Sequence, residues 1–260
     1  MAKIKKAILL AFGLGLGLAM GAKAQDAGPN GLPRGFVPCR NHDAAQEKAD
    51  LDLARNTIKV MQAHDMAKLD ATMPDLRAAL NRAPDVPTLP EVCGDKVIAY
   101  TPDMSEFMAI SAMVSSGKVK GVTSAEMRYE MPYATLGFIV GWIEFEHQDF
   151  ANALKDYAKG LRNDPDRLAV ETEYVGTLAK LGRNAEALES IDAFMTEHTS
   201  LNGPQKGLIL RKRGYVLVEL GRWDEADAAY RQSLEADPNN QLAKNELDYI
   251  AKHRPDQPKT

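Results

Sequence analysis

Across 260 residues there are only two cysteines, two tryptophans and five histidines, and each scarcity removes a class of chemistry. Neither Cys39 nor Cys93 belongs to a CxxC pair, and no histidine stands at ligand spacing from either, so a dithiol redox motif or a zinc site lacks its ligands. A nucleophile elbow, an HExxH helix and a Gly-rich phosphate loop are also missing, and nothing sets two carboxylates in an apolar, pKa-shifting context. No residue can be named as catalytic, and no motif asks for a cofactor or a metal. Nor is there a basic excess. With 32 Lys and Arg against 36 Asp and Glu, the net charge is −4. Such a chain repels phosphate backbones and anionic lipid, which sets nucleic acid aside as a partner.

Long apolar runs are equally scarce. The one stretch of this kind, residues 7–20, is too short for a comfortable membrane span. Lys3, Lys5 and Lys6 precede it and Ala22, Lys23 and Ala24 follow, so residues 1–24 read as a signal peptide cleaved before Gln25. Four lysines leave with that leader, and residues 25–260 retain 28 basic against 36 acidic groups. The expected destination is the periplasm of a bacterial cell envelope, with no membrane span after cleavage. An even cysteine count in an exported chain implies a Cys39–Cys93 disulfide, two reduced thiols being the alternative. Closing a loop of that length is worth about 4 kcal/mol on the chain-entropy model.

What the sequence does contain is a repeat. Lys180, Leu181, Gly182 and Arg183 recur as Glu219, Leu220, Gly221 and Arg222, each followed by an acidic, Ala-rich helix start. Asp149, Phe150, Ala151, Asn152 and Ala153 occupy the corresponding place one copy earlier. Each unit reads as helix, tight turn, helix, and the segments 134–167, 168–201 and 207–240 align, with a short insertion before the third. In this pattern the chain resembles the tetratricopeptide-repeat (TPR) family over about residues 134–240. The third unit carries the resemblance through Gly214, Gly221, Trp223, Ala226, Tyr230 and Pro238, and the first through Gly141, Phe150, Ala153, Tyr157 and Pro165. The middle unit keeps Gly182 and Ala187 but has Val175, Ile191 and Thr199 where Gly, an aromatic and Pro are usual.

The fold class implied is all-α: a helical-hairpin solenoid of three repeats plus a capping helix at 241–252, preceded by a disulfide-braced helical region. Small residues such as Gly141, Gly214, Ala153 and Ala226 let paired helices approach, and such units stack because one pair cannot bury its apolar face alone. Residues 253–260 read as a disordered tail.

The first half, 42–133, carries no recognised pattern. Residues 25–41, rich in Gly and Pro, read as an irregular lead-in. Leu51, Ala54, Ile58 and Met61 mark a helix from His42 to about His64. Pro74 is expected in the first turn of a second helix ended by Pro84. Residues 96–101 have strand-like content but no evident partner, and are read as an extended link. Asp103 with Glu106 predicts a capping box for a helix closed at Gly117, and Thr123 with Glu126 predicts another.

The resemblance to TPR proteins also implies a concave surface lined by the first helix of each pair. It would hold Phe138, Trp142 and Phe145 as an aromatic wall, Lys180 in the middle unit, and Arg211, Lys212 and Tyr215 at the far end. Phe138 and Trp142 replace the Lys and Asn of the subfamily that grips chaperone C-termini, so a different protein or peptide, with apolar and acidic side chains, is the expected partner. The function read from the sequence is therefore a non-enzymatic interaction scaffold. Covering of Phe138 and Trp142 by the N-terminal helices is the alternative use of that face. Two other readings remain. Met61, Met66, Met73, Met104, Met108, Met113, Met127 and Met131 offer soft thioethers suited to copper, with His64 beside Met66, although methionine also fills helical cores. An enzyme site within 42–133 is the other.

Overall fold

The computed structural model describes residues 31–199 and 201–255. The expected signal peptide, the start of the expected lead-in and the end of the expected tail lie outside the described residues. The chain divides into two compact units. One runs to Ile139 and includes Arg162–Asp164, and the other comprises Val140–Leu161 and everything from Pro165.

The first unit combines helices with a small sheet. Helix α1 (Ala44–Gln62) begins where Asp43 accepts from the Gln46 N–H, and α2 (Met66–Asn81) where Asp65 accepts from the Lys68 N–H. Each cap satisfies an amide that the first helical turn leaves free. Pro74 therefore lies inside α2 rather than in its first turn. The Asp65 cap starts the helix two turns earlier, and tertiary burial of Leu69, Leu76, Ala79 and Leu80 carries it across the proline.

Two further expectations are corrected here. Residues 96–101 are not a link: Lys96–Tyr100 form strand β3 of a four-stranded sheet, flanked by β2 (Glu91–Cys93) and β4 (Ser124–Arg128), with β1 (Val37–Pro38) beyond β2. The β2/β3 pair is antiparallel across Gly94, which adopts φ +66°, while β3/β4 and β1/β2 are parallel. The segment after Thr123 is accordingly strand β4 and not a helix. Its ladder partner lies 28 residues away, and the Thr123 N–H, instead of opening a helix, donates to the Asp95 carbonyl.

Between β3 and β4 lies α3 (Met104–Ser115). Its Asp103 cap forms as expected, but Glu106 accepts from the Thr101 hydroxyl and does not close the box. Gly117, φ +71°, ends the helix. Val97 and Ala99 of β3 pack with Ile110 and Val114 of α3 and with Phe36, Val119 and Val122. By the two-residue alternation of a strand, Ile98 and its partner Glu91 face the other way.

Helices α4 (Tyr133–Glu146) and α5 (Phe150–Asn163) form the first repeat. Then follow α6 (Leu168–Lys180) with α7 (Asn184–Glu197), α8 (Gly203–Glu219) with α9 (Trp223–Ala236), and the capping helix α10 (Gln241–His253). The helical-hairpin array expected for 134–252 is present, and the molecule is mostly helical, with ten helices among the described residues. The insertion before the third repeat becomes an extra turn of α8, opened by a capping box of Asn202 and Gln205.

Inside the pairs, small meets large. A Cβ on Gly141 would stand 2.7 Å from the Tyr157 ring, and one on Gly214 2.7 Å from the Tyr230 ring. The middle repeat places Val175 and Ile191 at the same two positions, both fully buried in one core. Its departure from the family pattern is thus a matched exchange of volume, small plus large becoming medium plus medium.

The turns also repeat. Gly182 and Gly221, both at φ +70°, donate to the carbonyls of Ala179 and Val218, and the next residues, Arg183 and Arg222, donate to Leu178 and Leu217. That double closure is the Schellman arrangement. Arg183 and Arg222 then hold Glu186 and Glu225 in two-pronged pairs of 2.6–2.9 Å at the start of the following helix.

Candidate functional site

The expected recognition face lies on the first helices of the repeats. Trp142 and Phe145 on α4 are half-buried, and Phe145 meets the edge of Phe150 at 5.0 Å. Phe138, also half-buried, falls within the first unit, whereas the other expected groove residues fall within the second. On α6, Gly176 leaves space that the Lys212 ammonium uses: a Cβ there would lie 3.4 Å from Nζ. Tyr215 on α8 is half-buried, and burial raises the pKa of its phenol.

The basic cluster of α8 is neutralised from within. Arg211 Nη1 donates to Asp237 Oδ2 at 3.1 Å with its side chain only 12% exposed. Lys212 Nζ lies 3.8 Å from Glu173 Oε1, and Arg213 Nε donates to Asp192 Oδ1 at 2.8 Å. Lys180, exposed in the last turn of α6, is in no ion pair among the described residues and is the most open of the three expected groove cations.

Beneath α6 sits a second polar group. Glu171, 4% exposed, accepts from Ser190 Oγ at 2.7 Å, and burial raises its pKa. His198 stacks on Phe194 and shares a 3.0 Å contact with Asp166, which raises the imidazole pKa.

The most elaborate polar group, which no sequence motif announces, lies in the first unit. Glu91 on β2 is fully buried. It accepts from the Arg40 amide at 3.0 Å and from Arg40 Nε at 2.6 Å, and meets His42 Nε2 at 2.9 Å. The other imidazole nitrogen, Nδ1, meets Glu47 Oε1 at 2.7 Å, so His42 is clamped between two carboxylates. Burial opposes its charge, but the bonds to Glu47 and Glu91 outweigh burial and raise its pKa. For Glu91 burial pushes the other way, and Arg40 and His42 hold its pKa below the usual value.

Nearby, Arg82 pairs with buried Asp50 through two nitrogens. Tyr100, whose ring centre is 5.0 Å from that of His42, and Tyr133 have phenols pushed up to about 12 by burial and neighbouring carboxylates. Both nitrogens of His42 being occupied, its imidazole is an ionic bridge rather than a general base. These residues, 40, 42, 47, 50, 82 and 91, follow no local spacing, and only the fold assembles them.

Cys39, Glu91 and Cys93 bring potential metal-ligating atoms within 4.8 Å of one another. The two sulfurs, however, form the expected disulfide, and Glu91 is committed to Arg40 and His42. The methionines differ in burial: Met104 and Met108 are 56% and 63% exposed on α3, whereas Met131 is 6% exposed.

Comparison with known proteins addresses the repeats. Residues 207–240 match the family model of the tetratricopeptide repeat. Over this segment the chain is similar to the tetratricopeptide repeat. The small glutamine-rich tetratricopeptide repeat-containing protein 2 of Mycosarcoma maydis is 24% identical over 100 residues, covering 38% of this chain and 27% of that protein. The chain therefore spans only about a quarter of that relative's length. Among solved structures, the first TPR of Spaghetti (RPAP3) bound to the HSP90 peptide SRMEEVD shares 25% identity with a TM-score of 0.41, covering 46% of this chain and 90% of that one. A tetratricopeptide repeat protein from Parabacteroides merdae gives a TM-score of 0.48 at 13% identity, covering 80% of this chain and 61% of that one.

Proposed function

We propose that this protein is a non-enzymatic interaction scaffold of the cell envelope, holding a partner segment on the first-helix face of its tetratricopeptide repeats. The observation that carries this reading is the division of labour within the repeats. The second-helix anchors Tyr157, Ile191 and Tyr230 are fully buried, while the first-helix aromatics Trp142, Phe145 and Tyr215 keep part of their surface open. Half-buried aromatics beside small residues supply rigid contact area at low entropic cost. The partner would seat an apolar side chain against Trp142 and Phe145 and an acidic group near Lys180. Arg211 and Lys212 contribute by ordering α8 through Asp237 and Glu173, and meet a ligand acid only by exchanging those partners.

Export is supported by the leader-like residues 1–24 and by the Cys39–Cys93 bond, which suits an oxidising compartment. The experiment is capture of envelope proteins on the wild-type chain and on Trp142→Ala, followed by titration of the identified partner. Truncation of Trp142 is expected to weaken binding by about 2 kcal/mol. If it lowers the melting temperature while the folded fraction binds unchanged, Trp142 is core and the reading of this face is wrong.

A further inference from the structure

The polar group of the first unit borders a cavity of about 150 Å³ that the scaffold reading leaves unused. Its walls include Arg40, His42, Glu47, Arg82, Thr88 and Tyr133. A cavity of that size in an engineered apolar core admits a benzene molecule, so it suits a ligand of about six heavy atoms. Its lining is far from apolar, and three observations indicate what it would hold.

First, Glu47 is only 8% exposed, and while its Oε1 meets His42, its buried Oε2 has no hydrogen-bond partner among the described residues. A buried carboxylate oxygen without a donor is costly, and a ligand N–H or O–H would offset that cost. Second, Tyr133 lines the same space at 6% exposure, and burial together with nearby carboxylates pushes its phenol up to about 12, which keeps it a hydrogen-bond donor. Third, each guanidinium on the wall uses only part of its fork. Arg40 engages Glu91 through Nε, and Arg82 engages Asp50 through Nε and Nη2, leaving further N–H groups for an acceptor.

With His42 protonated, the form favoured by its two carboxylate neighbours, the charges of the group balance. Arg40, Arg82 and His42 stand against Glu47, Asp50 and Glu91, pair by pair. A lone anion or a lone cation entering this space would upset that neutrality at high desolvation cost. A small molecule that carries both charges would not.

We infer that the cavity of the first unit is a binding site for a small zwitterion of free α-amino-acid type, its ammonium group taken by Glu47 and its carboxylate by the guanidinium groups of Arg40 and Arg82. Tyr133 and Thr88 lie close enough to the same space to meet a short polar side chain, and the volume restricts that side chain to a few atoms. The site is independent of the repeat face, so loss of one leaves the other standing.

The test is isothermal titration of the full-length chain with glycine, alanine and serine, with acetate and methylamine as half-ligands and tryptophan as a size control. The expected result is saturable binding of at least one small amino acid, at least tenfold weaker binding of both half-ligands, and none of tryptophan. Glu47→Gln, which keeps the shape and removes the charge, is expected to weaken binding at least tenfold. Tyr133→Phe supplies a second variant should Glu47→Gln fail to fold, and its expected loss is about threefold for serine. No saturation by any of the three amino acids up to about 10 mM overturns the inference. Equal binding of acetate or methylamine overturns it as well, because a single charge would then suffice.

Discussion

The ring of Tyr230 occupies the space in which any residue other than glycine at position 214 would place its Cβ. The first repeat makes the same contact between Tyr157 and Gly141, and the middle repeat substitutes Val175 and Ile191. Gly214→Ala is therefore expected to destabilise by about 1–3 kcal/mol through overpacking, whereas Glu235→Ala on the exposed face should change stability by less than about 0.5 kcal/mol. The stronger check is a double-mutant cycle by urea denaturation. Gly214→Val with Tyr230→Ile copies the middle repeat, and should recover about 1 kcal/mol or more relative to the sum of the single changes. Strict additivity would show that the two positions do not share one volume.

Gln148 takes φ +62° at the turn between α4 and α5, where the other repeats have Gly182 and Gly221. Its N–H donates to Phe145 and that of Asp149 to Glu144, so the closure is the same while the residue is less suited to it. Gln148→Gly should stabilise the fold by about 1 kcal/mol, since glycine adopts this conformation without the Cβ clash. A lower urea midpoint in the variant would refute the assignment of backbone strain to this turn.

The His42 and Glu91 bridge gives stability an upper and a lower pH limit. The raised pKa of His42 contributes stability fully below its ordinary value of 6.5, and that contribution is lost as pH rises through the folded value. The depressed pKa of Glu91 contributes above its ordinary 4.5 and is lost as pH falls through its folded value. His198 adds an alkaline loss of its own, so the informative quantity is the difference between wild type and His42→Gln. Thermal melts from acid to alkaline pH should show a shallower alkaline decline in the variant, and NMR should find the His42 imidazole still protonated above pH 6.5. Parallel profiles would sink the ionic-bridge assignment.

Cys39→Ser with Cys93→Ser should lower stability by about 4 kcal/mol, the entropy of a loop spanning 54 residues. Urea titration of the oxidised and doubly substituted chains measures it. Mass spectrometry of exported protein should also find the bridge intact in a chain beginning at Gln25, and free thiols or a retained leader would count against export.

The repeats were legible because their signals are local. Turn glycines, close-contact alanines and the recurring helix starts each act within one helix pair, and the helices of 134–252 fall where that pattern puts them. The sheet was not, because β3 owes its existence to partners at 91–93 and 124–128, and periodicity within 96–101 carries no information about them. The polar group of the first unit was hidden for the same reason. Glu91 looks like one acid among 36 until β1 brings Arg40 beside it. Among the expected groove residues, position was legible but pairing was not: nothing local tells that Arg211 turns to Asp237.

The β1/β2 ladder joins only Val37 with Glu91 and Pro38 with Val92. Two residue pairs are too few to fix an alignment by backbone hydrogen bonds alone. A slip of one residue would turn Glu91 to the opposite face, taking from Arg40 its buried carboxylate partner and leaving His42 with Glu47 alone. The buried carboxylate thus acts as a key for strand alignment, admitting one register during folding and penalising its neighbours. On this account Glu91→Gln would relax the choice among registers as well as weaken the final fold.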